Sequence, residues 1–179
     1  DCNMDNKNGI YIDTCPDTLR VENVHCWPFT GGGVGTGTRS GAAFQVKNNA
    51  DWAKFTNCFS WGYAIGFSIL DCSNVTLLGC GADGPFPQVG SLGFVVSGES
   101  YLTNIVACQT GGRGVGYYIS TNVKAISFIC NSQSFSCENH GVLIDGGAVN
   151  VVGGSHQGNL GCITVNDLDS IVSVDNVTK

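Results

Sequence analysis

One four-residue pattern constrains this chain more than anything else in it. Gly66-Phe67-Ser68-Ile69 recurs as Gly9-Ile10-Tyr11-Ile12, Ala43-Phe44-Gln45-Val46, Gly93-Phe94-Val95-Val96, Gly116-Tyr117-Tyr118-Ile119, Gly141-Val142-Leu143-Ile144 and Cys162-Ile163-Thr164-Val165. Each copy reads small, apolar, variable, β-branched. Residues two apart on a strand point to one face, so the second and fourth places form two stacked apolar columns. The small residue ahead of them suits a tight backbone entry into the strand. The copies return at intervals of roughly 21 to 34 residues. A period of that size, with one short strand per unit, marks a solenoid in which each unit buries its apolar face only against its neighbours.

A second apolar segment follows each copy across a short polar turn, for example Leu19 to Val24, Trp52 to Phe55, Val75 to Leu78 and Val149 to Val152. Two strands per coil, joined by such turns, predict a parallel β-helix, with seven coils visible. No segment carries ten or more residues with helical apolar spacing, so helices are expected to be minor. The outward column of the ladder strand is Tyr11, Gln45, Ser68, Val95, Tyr118, Leu143 and Thr164. A water-facing column should be more polar, and Val95, Tyr118 and Leu143 predict a patch covered by another chain or a loop.

Charge narrows the partners. Only 8 Lys and Arg are present, scattered, against a net charge of −6, which argues against a nucleic-acid partner and against an anionic membrane surface. No apolar run approaches the roughly 20 residues of a spanning helix. Four prolines and no low-complexity run leave no internal linker, so residues 1–179 are expected to form a single β-helix segment. Neither end reads as a polar cap, which predicts a segment of a longer chain or one completed by partners.

Ten cysteines in a chain of this length ordinarily suggest a secreted disulfide scaffold. Here Cys26, Cys58, Cys80, Cys108 and Cys130 lie at a similar distance past their ladder strands, and thiols are small, readily buried hydrophobes. The expectation is a stack of reduced, buried thiols. The competing reading, a set of disulfides in a secreted protein, draws on the sequons Asn74-Val75-Thr76 and Asn176-Val177-Thr178.

Asn23-Val24-His25-Cys26-Trp27-Pro28-Phe29, the Gly-rich loop that runs on to Thr38-Arg39-Ser40-Gly41, Ala43-Phe44, and the stretch from Asp51-Trp52 to Ser60-Trp61-Gly62-Tyr63 together resemble the β-helix of bacteriophage tailspikes in the pectate-lyase-like group. The resemblance covers most of the chain. It implies a trimer of side-by-side chains on the virion, folded in a reducing bacterial cytoplasm. It further implies a particle-binding domain before this segment and a trimerising or capping domain after it. Members cut different bacterial surface polysaccharides by hydrolysis or elimination, and some only bind them, so fold alone does not fix the activity.

No family catalytic motif can be placed on these residues, so the candidate site rests on chemistry. Hydrolysis of a glycosidic bond commonly needs two carboxyl groups. Asp83 and Glu138 lie in inserted loops on one side of the coil, two coils apart, with backbones expected roughly 10 Å apart from strand spacing. Arg113, in the coil between them, could hold an acidic sugar or shift a carboxyl pKa. His140 could serve as the base of an elimination. Asp71 and Glu99 form a second, lower-ranked pair, for which a turn-forming role is the simpler account. Trp27, Phe29, Trp61 and Phe86 sit at or just before the insertions and could offer ring faces to a sugar, or could anchor loops on the coil. The Gly31 to Gly37 loop lacks the Gly-Lys-Ser/Thr of a phosphate cradle. Scattered histidines and the lack of a Cys-x-x-Cys pair predict no metal site, and no cofactor is expected.

The sequence is therefore read as a right-handed parallel β-helix from a phage tailspike that binds, and cleaves, a bacterial capsule or O-antigen. The alternative from a different class is a non-catalytic β-helix shaft with a structural and receptor-binding role. A secreted plant-wall lyase is a third option, weakened by the absence of a basic groove.

Overall fold

A computed structural model describes residues 8–27, 39–49, 51–84, 90–122 and 125–179. Among them the chain is all-β, without a helix, and three parallel sheets wind into a β-solenoid. The ladder copies form one seven-stranded sheet, Ile10–Asp13, Arg39–Lys47, Tyr63–Leu70, Leu92–Gly98, Val115–Thr121, His140–Ile144 and Gly161–Val165. The second apolar segments form another, Leu19–Glu22, Ala53–Thr56, Ser73–Leu78, Tyr101–Val106, Ile126–Cys130, Ala148–Val152 and Ile171–Asp175.

The third sheet corrects the two-strand reading. Its six short strands are His25–Cys26, Phe59–Trp61, Gly81–Asp83, Gln109–Gly111, Gln133–Cys137 and Ser155–Gly158. They escape an apolar-pattern search because their inward column is polar or small: Cys26, Ser60, Ala82, Thr110, Ser134 and His156, all buried.

Register follows the ladder. Phe44, Phe67, Phe94 and Tyr117 are successive Cα partners, and their rings stack at 4.6, 4.9 and 5.1 Å with interplanar angles of 10° or less. Each ring is 1% exposed or less, so each contributes roughly 1.5–3 kcal/mol of apolar burial, plus about 0.5–1.5 kcal/mol per stacked pair. On the outward column Ser68 and Val95 are buried while Tyr118 and Leu143 are half-buried. The patch is thus already partly covered within the chain.

The corner into the third sheet is made by one left-handed residue per rung, Asn23, Asn57, Gly79, Ala107, Asn131 and Gly153, with φ between 48° and 64°. Asparagine and glycine tolerate this region and Ala107 does not, so its neighbours must hold it there. The residue after each corner points inward, and that is where thiols stack. The register aligns Cys58, Cys80 and Cys108, followed by Ser132. Cys26 belongs instead to the inward column of the third sheet, opposite Ser60, and Cys130 pairs with Val106 and Val152 at the end of a second-sheet strand. The thiol ladder therefore has three members, not five. Among the described residues nine cysteines are free, and six of them are buried.

Candidate functional site

Function must be sought on the outside of the coil, because the inside is filled. On the third sheet two outward columns run along the solenoid axis. One carries Trp61, Asp83, Gly111 and Phe135 as successive Cα partners, with Trp27 stacked on Trp61 at 5.4 Å and 15°. The other carries His25, Phe59, Gly81, Gln109 and Gln133. A groove of about 310 Å³ between the rungs is lined by His25, Phe59, Asp83 and Gln109, among others.

Two glycines shape this face. A Cβ on Gly111 would lie 2.2 Å from the Phe135 ring, and one on Gly81 would lie 2.6 Å from the Phe59 ring. Each ring therefore lies flat over a glycine of the preceding or following rung, where a strand has no side chain to pack. Asp83 is consequently flanked by the Trp61 indole on one side and, across Gly111, by the Phe135 ring on the other.

Asp83 has unusual surroundings for a carboxylate. Among the described residues its Oδ1 is buried without a hydrogen-bond partner, as is Nε1 of Trp61. Burial pushes the Asp83 carboxyl above its ordinary pKa, against an opposing pull from the Arg113 charge. Buried polar atoms are seldom left unpaired, and a desolvated carboxyl in a cleft has the character of a functional acid.

The other sequence candidates fall in different places. Arg113 is 1% exposed. Its Nε donates to the Ala82 carbonyl (3.2 Å), its Nη2 to the Asp83 carbonyl (2.6 Å) and its Nη1 to the Tyr63 carbonyl. Burial lowers its pKa to about 10. It clamps the strand that carries Asp83 from beneath, and does not face a sugar. Glu138 is half-buried in the turn after its strand, and its N–H donates to the Arg113 carbonyl at 2.7 Å. Phe135, not Glu138, shares the column of Asp83, and Glu138 lies three residues further along. The two carboxylates are separated by about 10 Å along the axis alone, from two strand spacings, with that offset added.

Asp71 has φ 52° and its Oδ1 accepts the Glu99 N–H at 2.8 Å, the geometry of a turn former. His140 starts a ladder strand, with its Nδ1 2.9 Å from Thr164 Oγ1. Phe86, Phe29 and the Gly31 to Gly37 loop lie outside the described residues. Among the described residues no three His, Cys, Asp or Glu side chains are grouped so as to hold a metal ion.

Phe59, Phe135, His25, Gln109 and Gln133 were not singled out from sequence. For Phe59 and Phe135 the signal is a ring paired in register with a glycine, and it exists only once the third sheet is known.

The fold and site together define a parallel β-solenoid with an aromatic, amide-lined outer face around one desolvated carboxyl group. Compared with models of known families, with curated protein sequences and with solved structures, the chain gives no match.

Proposed function

We propose that the chain binds a bacterial surface polysaccharide along the outer face of the third sheet and cleaves it beside Asp83. The observation that carries this reading is the position of Asp83 between two ring faces, Trp61 and Phe135, on a ridge that repeats along the solenoid axis. Ring faces offer apolar area at small entropic cost, and Gln109 and Gln133 add amide donors and acceptors for hydroxyl groups. A repeating ridge suits a repeating ligand.

Asp83, whose carboxyl burial raises above its ordinary pKa, would donate its proton to the leaving glycosidic oxygen. Water then adds to the anomeric carbon. Glu138, more than about 10 Å away on two strand spacings alone, lies beyond the about 6.5–9.5 Å of an inverting pair, so the group that takes the proton of that water comes from a neighbouring chain of the proposed trimer. In the eliminating variant His25, which shares the groove with Asp83, is better placed than His140 to take a proton.

The reading includes a right-handed helix of seven coils, homotrimeric and virion-borne, as the resemblance of the Asn23 to Phe29 and Asp51 to Tyr63 stretches implies. The test is incubation with capsule or lipopolysaccharide, reading new reducing ends or new ultraviolet absorbance, with Asp83→Asn as the control. The variant should fold, bind and fail to cleave; full cleavage by Asp83→Asn refutes the assignment of Asp83.

One observation favours a second reading. Asp83 is the single carboxylate among the described residues lining the groove, which suits a shaft that binds without cleaving. Binding that survives in wild type with no new ends or absorbance selects it.

A further inference from the structure

A second surface, on the outside of the second sheet, has the composition of a sugar subsite and takes no part in the site above. A recess of about 270 Å³ is lined by Trp52, Lys54, Asn74, Thr76, Leu102 and Asn104. They come from three successive rungs: Lys54, Thr76 and Asn104 are Cα partners. Trp52 is 53% exposed, a large apolar area to leave in water. Its backbone N–H is held by Asp51 Oδ1 at 2.7 Å, and the Lys54 ammonium stands 5.0 Å over the ring.

Two facts indicate what this recess lacks. First, the side-chain amides of Asn74 and Asn104 and the hydroxyl of Thr76 make no hydrogen bond among the described residues. The corner asparagines are engaged by contrast: Asn57 bonds Asn23, Asn48 bonds Asp13, and Asn166 bonds Asp145. Second, Lys54 and its Cα partner Arg20 put two cations on adjacent rungs with no carboxylate within 4.0 Å, since the ion pair of the described residues is Lys47 with Asp13. In a chain of net charge −6, two cations without a carboxylate partner beside a half-exposed indole are a local exception with a direction: they favour an anion.

We infer that this recess binds a carboxylate-bearing sugar residue, of the uronic-acid class, of the same polysaccharide chain. The carboxylate meets Lys54 and Arg20, the apolar ring face lies on Trp52, and hydroxyls pair with Asn74, Asn104 and Thr76. The recess is smaller than the roughly 300–1,000 Å³ of sites for drug-sized ligands, which fits one sugar unit rather than an oligomer. The choice of a sugar rests on the proposed function; the demand for a negative charge does not.

The test is a glycan array of neutral and uronate-containing bacterial oligosaccharides probed with the intact chain, followed by calorimetry with the strongest uronate-containing binder. Trp52→Ala and Lys54→Gln should each weaken binding about tenfold, the order expected for loss of one stacked ring or one ionic contact. Lys54→Gln should also flatten the salt dependence, and far-UV dichroism should be unchanged in both. Leu168→Ala, a fully exposed position outside both surfaces, should leave this affinity within twofold. Neutral oligosaccharides bound as tightly as acidic ones would overturn the inference. So would loss of acidic-glycan binding in Trp61→Ala but not in Trp52→Ala, which would leave the third-sheet function standing. Absence of any glycan binding would remove both.

Discussion

The backbone N–H of Cys108 donates to Oγ of Ser132, one rung further along, at 3.2 Å, and the two side chains bond the coil in the same way. Cys108 Sγ donates to the carbonyls of Leu77 (3.5 Å) and Val106 (3.4 Å). Ser132 Oγ faces the carbonyls of Ile105 (3.3 Å) and Cys130 (3.1 Å). The corner needs a small donor at this place, and a thiol or a hydroxyl will serve.

Cys108→Ser should therefore cost less than about 1 kcal/mol, since it trades a weak donor for a stronger one in a site already built for it. Cys108→Leu overfills the same corner and should cost about 1–3 kcal/mol. Urea midpoints of the two variants check the contrast. Alkylation without denaturant should spare Cys58, Cys80 and Cys108. Contact with Cys80 together with burial pushes the Cys58 thiol up, and Cys80 itself stands at about 12, far from the thiolate form that reacts; Cys108 is drawn the other way by its contact with Cys80 and is spared by its burial alone.

Arg113 supports the site without touching its ligand. Arg113→Lys keeps the charge but cannot reproduce a fork that reaches the carbonyls of Ala82, Asp83 and Tyr63 at once. Each carbonyl left bare costs about 1–3 kcal/mol. The variant should unfold at distinctly lower urea and, below that midpoint, should shift the pH profile of any Asp83-dependent cleavage, a readout that a purely structural role would not move.

The two apolar columns were legible because a parallel sheet in register turns a three-dimensional stack into a repeated string; Phe44, Phe67, Phe94 and Tyr117 could be aligned by eye. The third sheet was not, because its inward residues, Ser60, Thr110, Ser134 and His156, are polar and its strands are as short as two residues. The site suffered from the same gap. Asp83 and Trp61 could be picked by type, yet their adjacency, and the Phe135 ring folded back over Gly111, depend on a register that no local pattern announces. Arg113 misled for a related reason. A charged residue in a Gly-rich turn reads as exposed, and only the three carbonyls converging on it explain its burial.

His156 makes the fold sensitive to mild acid. It is fully buried, with Nδ1 3.1 Å from Ser134 Oγ and its ring edge-on to Tyr117 at 5.5 Å. Burial lowers its pKa from 6.5 to about 4. The unfolded chain thus binds a proton that the folded chain refuses between these values, so stability falls as pH drops from about 6.5 to 4. The loss approaches about 3 kcal/mol by the lower end. Urea midpoints at pH 7 and pH 4.5 should differ accordingly, and the difference should shrink in His156→Gln. Asp13 acts lower: bonds from Asn48, Tyr11 and Thr14, with Lys47 nearby, bring its carboxyl to about 2. Its contribution is present above its unfolded value near 4 and is lost as pH falls toward 2.

Gly111 and Gly93 separate the site from the scaffold. Neither has a positive φ, so alanine is allowed on backbone grounds at both, and only the surroundings differ. At Gly93 a Cβ would meet the Gly116 carbonyl oxygen at 2.4 Å and Thr110 Oγ1 at 2.3 Å. The first is backbone of the next rung and cannot give way without opening the ladder, so Gly93→Ala should cost about 1–3 kcal/mol or more. At Gly111 the atoms met first belong to the Phe135 ring. That ring is 38% exposed and can swing outward about its own torsions. Gly111→Ala should therefore leave the urea midpoint within about 1 kcal/mol of wild type while moving the ring off the column of Asp83. Polysaccharide binding at the third sheet should then fall to the level of Phe135→Ala, measured by calorimetry on the same ligand. Unchanged binding in Gly111→Ala would mean that the ring is only packing for the strand, and Asp83 would lose one of its two flanking faces as a recognition element.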